Sequence, residues 1–449
     1  MGIVFLLLYL FTSFIFPAEI FPSLGPYHLP YWIGLGGLVV SIVLVFVRRG
    51  EPLRSIQVYI LFVFFAVMIL SWLVADHWLG AVPVAIKQFA PSLAMFVVTV
   101  CTVDSLRKLR VVTASVVFFS VVVLAQGFAA YHFGINKKMF VLDPAQWAEQ
   151  LKDTEIADDS SGDDPDDQVS DDDVLAKRIR GLGMLHDPND LALSFVAALP
   201  LVSLGMRRRT LRTLLEFLLS AALCYGVYLT HSRGGTLGLL FVLLVIAARR
   251  VGRWRAALLV GILAFGAMAV DIGGGRSFSP EDESAADRID AWSEGLHMLK
   301  SQPLIGVGYR QFTEHHFMTA HNSFVLCFAE TGLVGYFLWL SLLGISLLQL
   351  QKLKHLPDSV PPVPDIRRYA SILQTAMMGF MVAAFFLSRT YVPFLYLLIG
   401  LSAALVLIAK KNDVPVVWPS YARMGSLIAA AELASLIMIY VIGRLHTVV

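Results

Sequence analysis

"MTAHNSFVLCFAETGLVGYF" occupies Met318 to Phe337. A histidine and an asparagine, His321 and Asn322, stand at the mouth of an apolar stretch in which Glu330 is the one charged residue before Lys352. A span needs about 20 mostly apolar residues, and this run exceeds that. As a helix from 322 to 350 it reaches about 42 Å at 1.5 Å per residue. The hydrocarbon core is roughly 30 Å thick, so the helix tilts or its first turns stand above the lipid. Asn322 is placed to cap it. The ring of His321 at its entrance is harder to explain by structure alone.

Runs of the same kind recur on both sides. They lie near 2–16, 29–47, 56–74, 82–103, 111–133, 191–205, 213–230, 235–248, 256–271, 322–350, 370–387, 391–409 and 424–443. The expected fold is therefore an all-α polytopic membrane protein with about 12–13 transmembrane helices. Composition agrees. The 449 residues are 57% hydrophobic and only 15% charged, against about 25% charged in a soluble domain. Mean hydropathy is +0.71. A soluble fold of this length needs a polar skin that these residues do not supply. The segment 2–16 has no basic start and no small-residue cleavage site, and reads as a retained first span. Cys101, Cys224 and Cys327 fall within apolar runs and read as packing residues. The net charge of +2 says nothing about partners, and no nucleic-acid partner is expected.

Basic residues in short loops mark the cytoplasmic face. They cluster at 48–54, 107–110, 207–212, 249–255, 352–368 and 410–411, which are alternate loops of the series. The N-terminus is then inside. The remaining loops face outward, and two are long: 134–190 and 272–321. The first holds "DDSSGDDPDDQVSDDD" at 158–173, an acidic insert that reads as solvated chain. Four regions follow: N-terminal helices 1–133, the outer loop 134–190, a core 191–350 that includes the loop 272–321, and C-terminal helices 351–449.

Four polar islands fall on the outward face. "RIRGLGMLHDPNDLALSF" (178–195) brings Arg178, Arg180 and Asn189, with Asp187 or Asn189 able to cap the next helix. "THSRGGTLG" (230–238) holds Arg233 in a short connection, either snorkelling or turned into a cavity as a phosphate fork. "ADRIDAWSEGLHMLKSQPLIGVGYRQF" (286–312) spaces its apolar residues as an amphipathic helix on the membrane, stopped by Pro303, with Arg288 near its start. Its "GVG" lacks the strand–turn–helix setting of a nucleotide loop. The fourth island is His321–Asn322 itself. His315 and His316 nearby lack further ligands at metal-binding spacing. Lys87 and Gln88 lie inside the fourth run near its outer end, and Arg310 and Arg389 also face outward.

These islands, in this order, resemble the O-antigen ligase and polysaccharide polymerase superfamily of bacterial inner-membrane proteins. The likeness rests on "GLGMLHDPNDLA", "HSRGG", "RIDAWSEGLHMLKSQPLIGVGYRQF" and "HNSFVLCFAETGLVGYF", and covers about 178–337. "DPNDLA" is also similar, weakly, to O-glycosylation ligases associated with exosortase systems. The acidic insert is not expected in the family.

The resemblance implies an inverting glycosyltransferase of the bacterial inner (plasma) membrane, active at its periplasmic face. The donor is a glycan on undecaprenyl diphosphate. The acceptor is a hydroxyl of a glycan, a lipid A core or a protein side chain, and membrane lipid surrounds both. Neither a metal nor another cofactor is implied. Within that likeness His321, Arg233 and Arg288 are the candidate catalytic residues, His321 as base. Arg180, Asn189, Asn322 and Arg310 are candidate substrate-binding residues, Arg180 joining Arg233 and Arg288 around the diphosphate. A ligase and a repeat-unit polymerase share these motifs. A transporter or flippase is a third reading, which calls for broken helices and ionisable groups near mid-membrane.

Overall fold

The computed structural model describes residues 2–77, 79–143, 177–204, 210–269, 283–357, 362–416, 418 and 420–446. The acidic insert 158–173 lies outside them. Each apolar run carries a helix: α1 (Gly2–Phe14), α2 (Leu29–Val47), α3 (Ile56–Asp76), α4 (Ala81–Thr102), α5 (Leu106–Phe133), α6 (Pro188–Leu201), α7 (Thr210–Leu229), α8 (Arg233–Val251) and α9 (Arg253–Ala269). The amphipathic segment forms α10 (Glu283–Ser301), and α11 (Ser323–Lys354), α12 (Val363–Ala384), α13 (Pro393–Lys411) and α14 (Tyr421–His446) complete the series. The protein is an all-α polytopic membrane protein. Among the described residues, 8 of these helices are long and apolar enough to cross a membrane on their own. The others are shorter or more polar.

Burial sorts the helices. The most apolar part of α13 is 83% buried, while that of α2 is 17% and that of α14 is 11%. A helix apolar all round belongs inside, or at the lipid boundary if its neighbours leave it bare. So α13 packs on α4 and α12 at the centre, with α6 and α11 against α12. The faces of α2 and α14 are left to lipid. α6 is short, carrying Pro200 one turn after Val196, and nearly every residue after Asp190 is buried.

The only sheet among the described residues is one antiparallel pair, β1 (Val141–Leu142) with β2 (Arg178–Ile179). It brings the end of α5 together with the first polar island. Between α4 and α5, Arg48 and Lys108 both pair with Asp104. Nearby, the Gln57 side chain donates to Gln349 Oε1 at 2.7 Å, tying α3 to α11.

α11 is not continuous. Its backbone breaks at Gly332 (φ 63°, ψ −171°). The segment 303–308 fills the break. Val307 N donates to Ala329 O at 2.9 Å and Gly308 N to Glu330 O at 3.1 Å. In return Leu333 N donates to Pro303 O at 2.9 Å and Val334 N to Leu304 O at 3.2 Å. Irregular backbone near lipid persists only where protein satisfies it, and here it is satisfied from both sides. After the break α11 retains about 33 Å of helix at 1.5 Å per residue, enough to span.

α10 departs from expectation in one respect. Its length and its stop before Pro303 agree, but its apolar face does not lie on lipid. Ala291, Trp292 and Met298 are buried, and the helix packs on α11 and α14. An apolar stripe is satisfied as well by protein as by membrane, and periodicity cannot tell which it meets.

Candidate functional site

The first island is organised by Arg178. It is buried, 2% exposed, and sits on β2. Its Nε donates to Thr230 O at 2.8 Å and its Nη2 to Asn189 Oδ1 at 3.1 Å. One guanidinium thus ties the end of α7 to the start of α6. Asn189 is engaged by this contact, and Asp187 caps α6 by accepting from Asn189 N at 2.7 Å.

Arg180 follows two residues later. Its Nε donates to Met139 O at 3.1 Å and its Nη2 to Lys138 O at 3.0 Å, while Nη1 meets His186 Nε2 at 3.1 Å. Burial lowers its pKa from the ordinary arginine value, and the Glu19 carboxylate opposes that shift. A guanidinium stays cationic through such a change.

The second island is a tight turn. His231 holds left-handed backbone, Ser232 caps α8 by accepting from Gly235 N at 3.1 Å, and Arg233 opens the helix half-buried. The third and fourth islands are joined by Trp292, whose Nε1 donates to Ala320 O at 2.9 Å, next to His321. Arg288 lies one turn before Trp292 on α10 and is half-buried. His321 is half-buried with φ 45°. Asn322 is fully buried, and its Oδ1 accepts from Phe324 N at 2.9 Å and Val325 N at 3.2 Å. Its acceptor is committed to capping α11.

The connection 388–392 between α12 and α13 binds the islands together. Arg389 pairs with both Asp187 and Asp190 of the first island. Its backbone N donates to Ser323 Oγ at 2.8 Å, and Thr390 Oγ1 donates to Ser323 O at 2.7 Å. Thr319 Oγ1 donates to Ser388 Oγ at 2.8 Å. The start of α6 and the start of α11 are thus held against one loop. Arg389→Met is expected to cost about 2 kcal/mol, because it leaves two part-buried carboxylates without their partner. A lower melting temperature of the purified protein in detergent checks it.

Beside this hub is a cavity of about 670 Å³. Its rim carries Glu19, Gln88, His186, Asp190, Arg310 and Arg389, and Tyr309 and Tyr391 form one wall. Of the candidate catalytic and substrate-binding residues, Arg310 lines it, as do Gln88, Asp187 and Arg389 from the other polar positions noted in the sequence. His321, Arg233, Arg288, Arg180, Asn189 and Asn322 do not. Beneath the wall is Glu330, 2% exposed. It accepts the Tyr391 hydroxyl at 2.8 Å, and its backbone O accepts Ser71 Oγ at 2.5 Å. Tyr309 packs edge-on against Tyr391 with centroids 4.8 Å apart.

His315 and His316 belong to no group of three or more possible metal ligands among the described residues. His316 Nδ1 instead meets Met318 O at 3.1 Å. Sequence reasoning passed over Arg178 as a binding residue and missed the roles of Glu330, Tyr391 and Gln88. Glu330 advertised itself as a lone charge in an apolar run, and Gln88 as a polar residue within the fourth run.

Residues 217–340 match the family model described as O-antigen ligase. The matched stretch contains the turn at Arg233, helix α10 and the start of α11, and it supports the resemblance to the O-antigen ligase-like superfamily that the motifs carry. Members of that family are membrane enzymes, ligases or polymerases, acting on lipid-linked glycans. No curated protein matches the chain.

Proposed function

We propose that this protein transfers a glycan from an undecaprenyl diphosphate carrier to an acceptor hydroxyl at the outer face of the inner membrane, with inversion and without a metal. One observation carries the reading most. The four polar islands, far apart in sequence, are joined at one face by hydrogen bonds through Arg178, Trp292 and the 388–392 loop. Among the described residues nine non-glycine positions hold left-handed backbone, and three of them, His231, Arg310 and His321, at φ 48°, 58° and 45°, lie in the islands. Such conformations cost free energy and gather at sites of function.

The chemistry suits these residue types. The acceptor oxygen attacks the anomeric carbon as the bond to the diphosphate oxygen breaks. The electron pair leaves with the diphosphate, and the acceptor proton passes to His321. An imidazole accepts a proton near neutral pH. The diphosphate gains negative charge as it departs, and Arg233, Arg288 and Arg180 stabilise it, most strongly where water is excluded. The diphosphate is already a good leaving group, so no strong general acid is required. The lipid tail stays in the bilayer while the sugar stays wet, which is why a histidine at the mouth of an apolar helix serves.

The test is glycan analysis of a strain lacking the gene. Undecaprenyl-linked glycan is expected to accumulate. Long chains on the carrier identify a ligase, and single repeat units identify a polymerase of the same superfamily. An unchanged carrier-linked pool together with unchanged product sinks the transferase reading. The broken α11 is a feature that a transporter also calls for. Here, however, the break lies nearer the start of α11 than its end and is filled by 303–308.

A further inference from the structure

The cavity beside Arg389 is not explained by phosphate chemistry. It borders Glu19, Asp187 and Asp190 against Arg310 and Arg389, so carboxylates outnumber guanidinium groups. Asp187 and Asp190 both pair with Arg389. A diphosphate entering here meets a rim of its own sign, and like charges facing each other disfavour binding.

The hydrogen-bonding inventory points the same way. Carboxylates only accept. Gln88 Oε1 is a buried acceptor with no hydrogen-bond partner among the described residues. A buried acceptor left unfilled costs free energy, which a donor group recovers. Phosphate oxygens at neutral pH offer few donors. Sugar hydroxyls offer one each, and also accept from Arg310 and Ser388. The floor is apolar, with Leu193, Phe380 and Phe394, and the Tyr309–Tyr391 pair gives an aromatic wall. A site of about 670 Å³ falls within the usual range for small-molecule sites, roughly 300–1,000 Å³.

We propose that this cavity is a glycan subsite, taking a neutral, hydroxyl-rich sugar unit while the diphosphate is held elsewhere by Arg180, Arg233 and Arg288. The assignment rests on the transferase reading above and adds a division of labour to it. Most of the polar lining, including Glu19, Gln88, His186, Asp187, Asp190, Ser388 and Arg389, lies outside the family-matched residues 217–340. His321, Arg233 and Arg288 lie inside the matched stretch, and the choice of sugar then falls to the segments packed around it. The sugar belongs either to the donor or to the acceptor.

Two substitutions separate these readings with little risk to folding. Gln88→Leu keeps the shape and removes the acceptor. Glu19→Gln keeps the side-chain oxygen that Gly183 N meets at 3.2 Å and removes one negative charge. Both are purified with wild type, checked for equal membrane level and melting temperature, and assayed in two ways. The first is binding of undecaprenyl diphosphate without glycan. The second is transfer, using carrier-linked glycan extracted from the deletion strain and acceptor membranes from the same strain.

The expected result is undecaprenyl diphosphate binding within about twofold of wild type, with the half-saturating concentration for transfer raised about tenfold, the scale of one lost hydrogen bond. A rise for the glycan donor alone assigns the cavity to the donor sugar. A rise for the acceptor alone assigns it to the acceptor sugar. Tighter binding of the bare diphosphate by Glu19→Gln, or weaker binding by Gln88→Leu, overturns the proposal, since either marks the cavity as the diphosphate site. Unchanged half-saturation of both substrates overturns it as well while leaving the transferase reading intact. If wild type transfers no glycan, the transferase reading fails and this assignment falls with it.

Discussion

Gly306→Ala is expected to remove most of the folded protein from the membrane. A Cβ at this position lies 2.3 Å from Glu330 C and 2.5 Å from Thr331 N, both backbone atoms that cannot rotate away. The residue also holds φ +74°, which L side chains rarely adopt. Strain and overpacking together cost about 3–5 kcal/mol, a large part of the roughly 5–15 kcal/mol that holds a domain folded. Gly332→Ala strikes the same contact from the other side: its Cβ meets Leu304 C at 2.4 Å, with φ +63°. The two segments press on each other, so either alanine alone expels 303–308 from the break. The double variant is therefore expected to cost little more than one of the singles, as for residues that share a contact. Gly425→Ala, with nothing within 4 Å of the added carbon, is the control. It lies inside helix α14, where alanine is favoured by up to about 1 kcal/mol. Membrane level and melting temperature in detergent read all four. A normal melting temperature for Gly306→Ala overturns the account of the break.

That break also shows where sequence reading stops. The helices were legible because lipid demands a long apolar run for each, and every run expected from hydropathy carries one. The caps were legible too: Asp187 and Asn322 stand where short polar side chains meet the start of an apolar run. The glycines of "GVG" were visible, but their purpose depends on a second segment, 329–334, and no local signal joins the two. "TGLVG" reads as unbroken apolar helix because glycine is common in spans. Glu330 stood out as a charge, yet its partner Tyr391 is 61 residues away. The cavity was hidden for the same reason. It gathers Glu19, Gln88, His186, Arg310 and Ser388 from five separate segments, and Gln88 alone reads as a polar residue near a helix end. Between two neighbouring arginines, the resemblance put Arg180 at the diphosphate, whereas Arg178 is the buried one that holds α6 to α7.

His321→Ala is expected to leave the protein folded and nearly inactive. His321 precedes the cap of α11 instead of forming it, and the capping acceptor is Asn322 Oδ1, so removing the ring leaves the helix start in place. If the ring takes the acceptor proton, its loss slows transfer by about 10²–10⁴-fold, the usual worth of a positioned general base. A pH profile separates that role from a packing role. In wild type the rate falls on the acid side as an imidazole base becomes protonated, and in the variant this fall disappears. Arg233→Ala is expected to slow the reaction by about 10²–10³-fold, as when one donor to developing negative charge is removed. Arg233→Lys recovers part of that loss, because lysine keeps the charge but not the fork that grips two phosphate oxygens. The two alanine variants combined are expected to fall short of the product of their separate effects, since base and clamp act on one transition state. Single-turnover transfer in reconstituted membranes measures each rate. Full activity in His321→Ala at every pH removes the histidine from the reaction, and full activity in Arg233→Ala reduces that arginine to a helix-start residue.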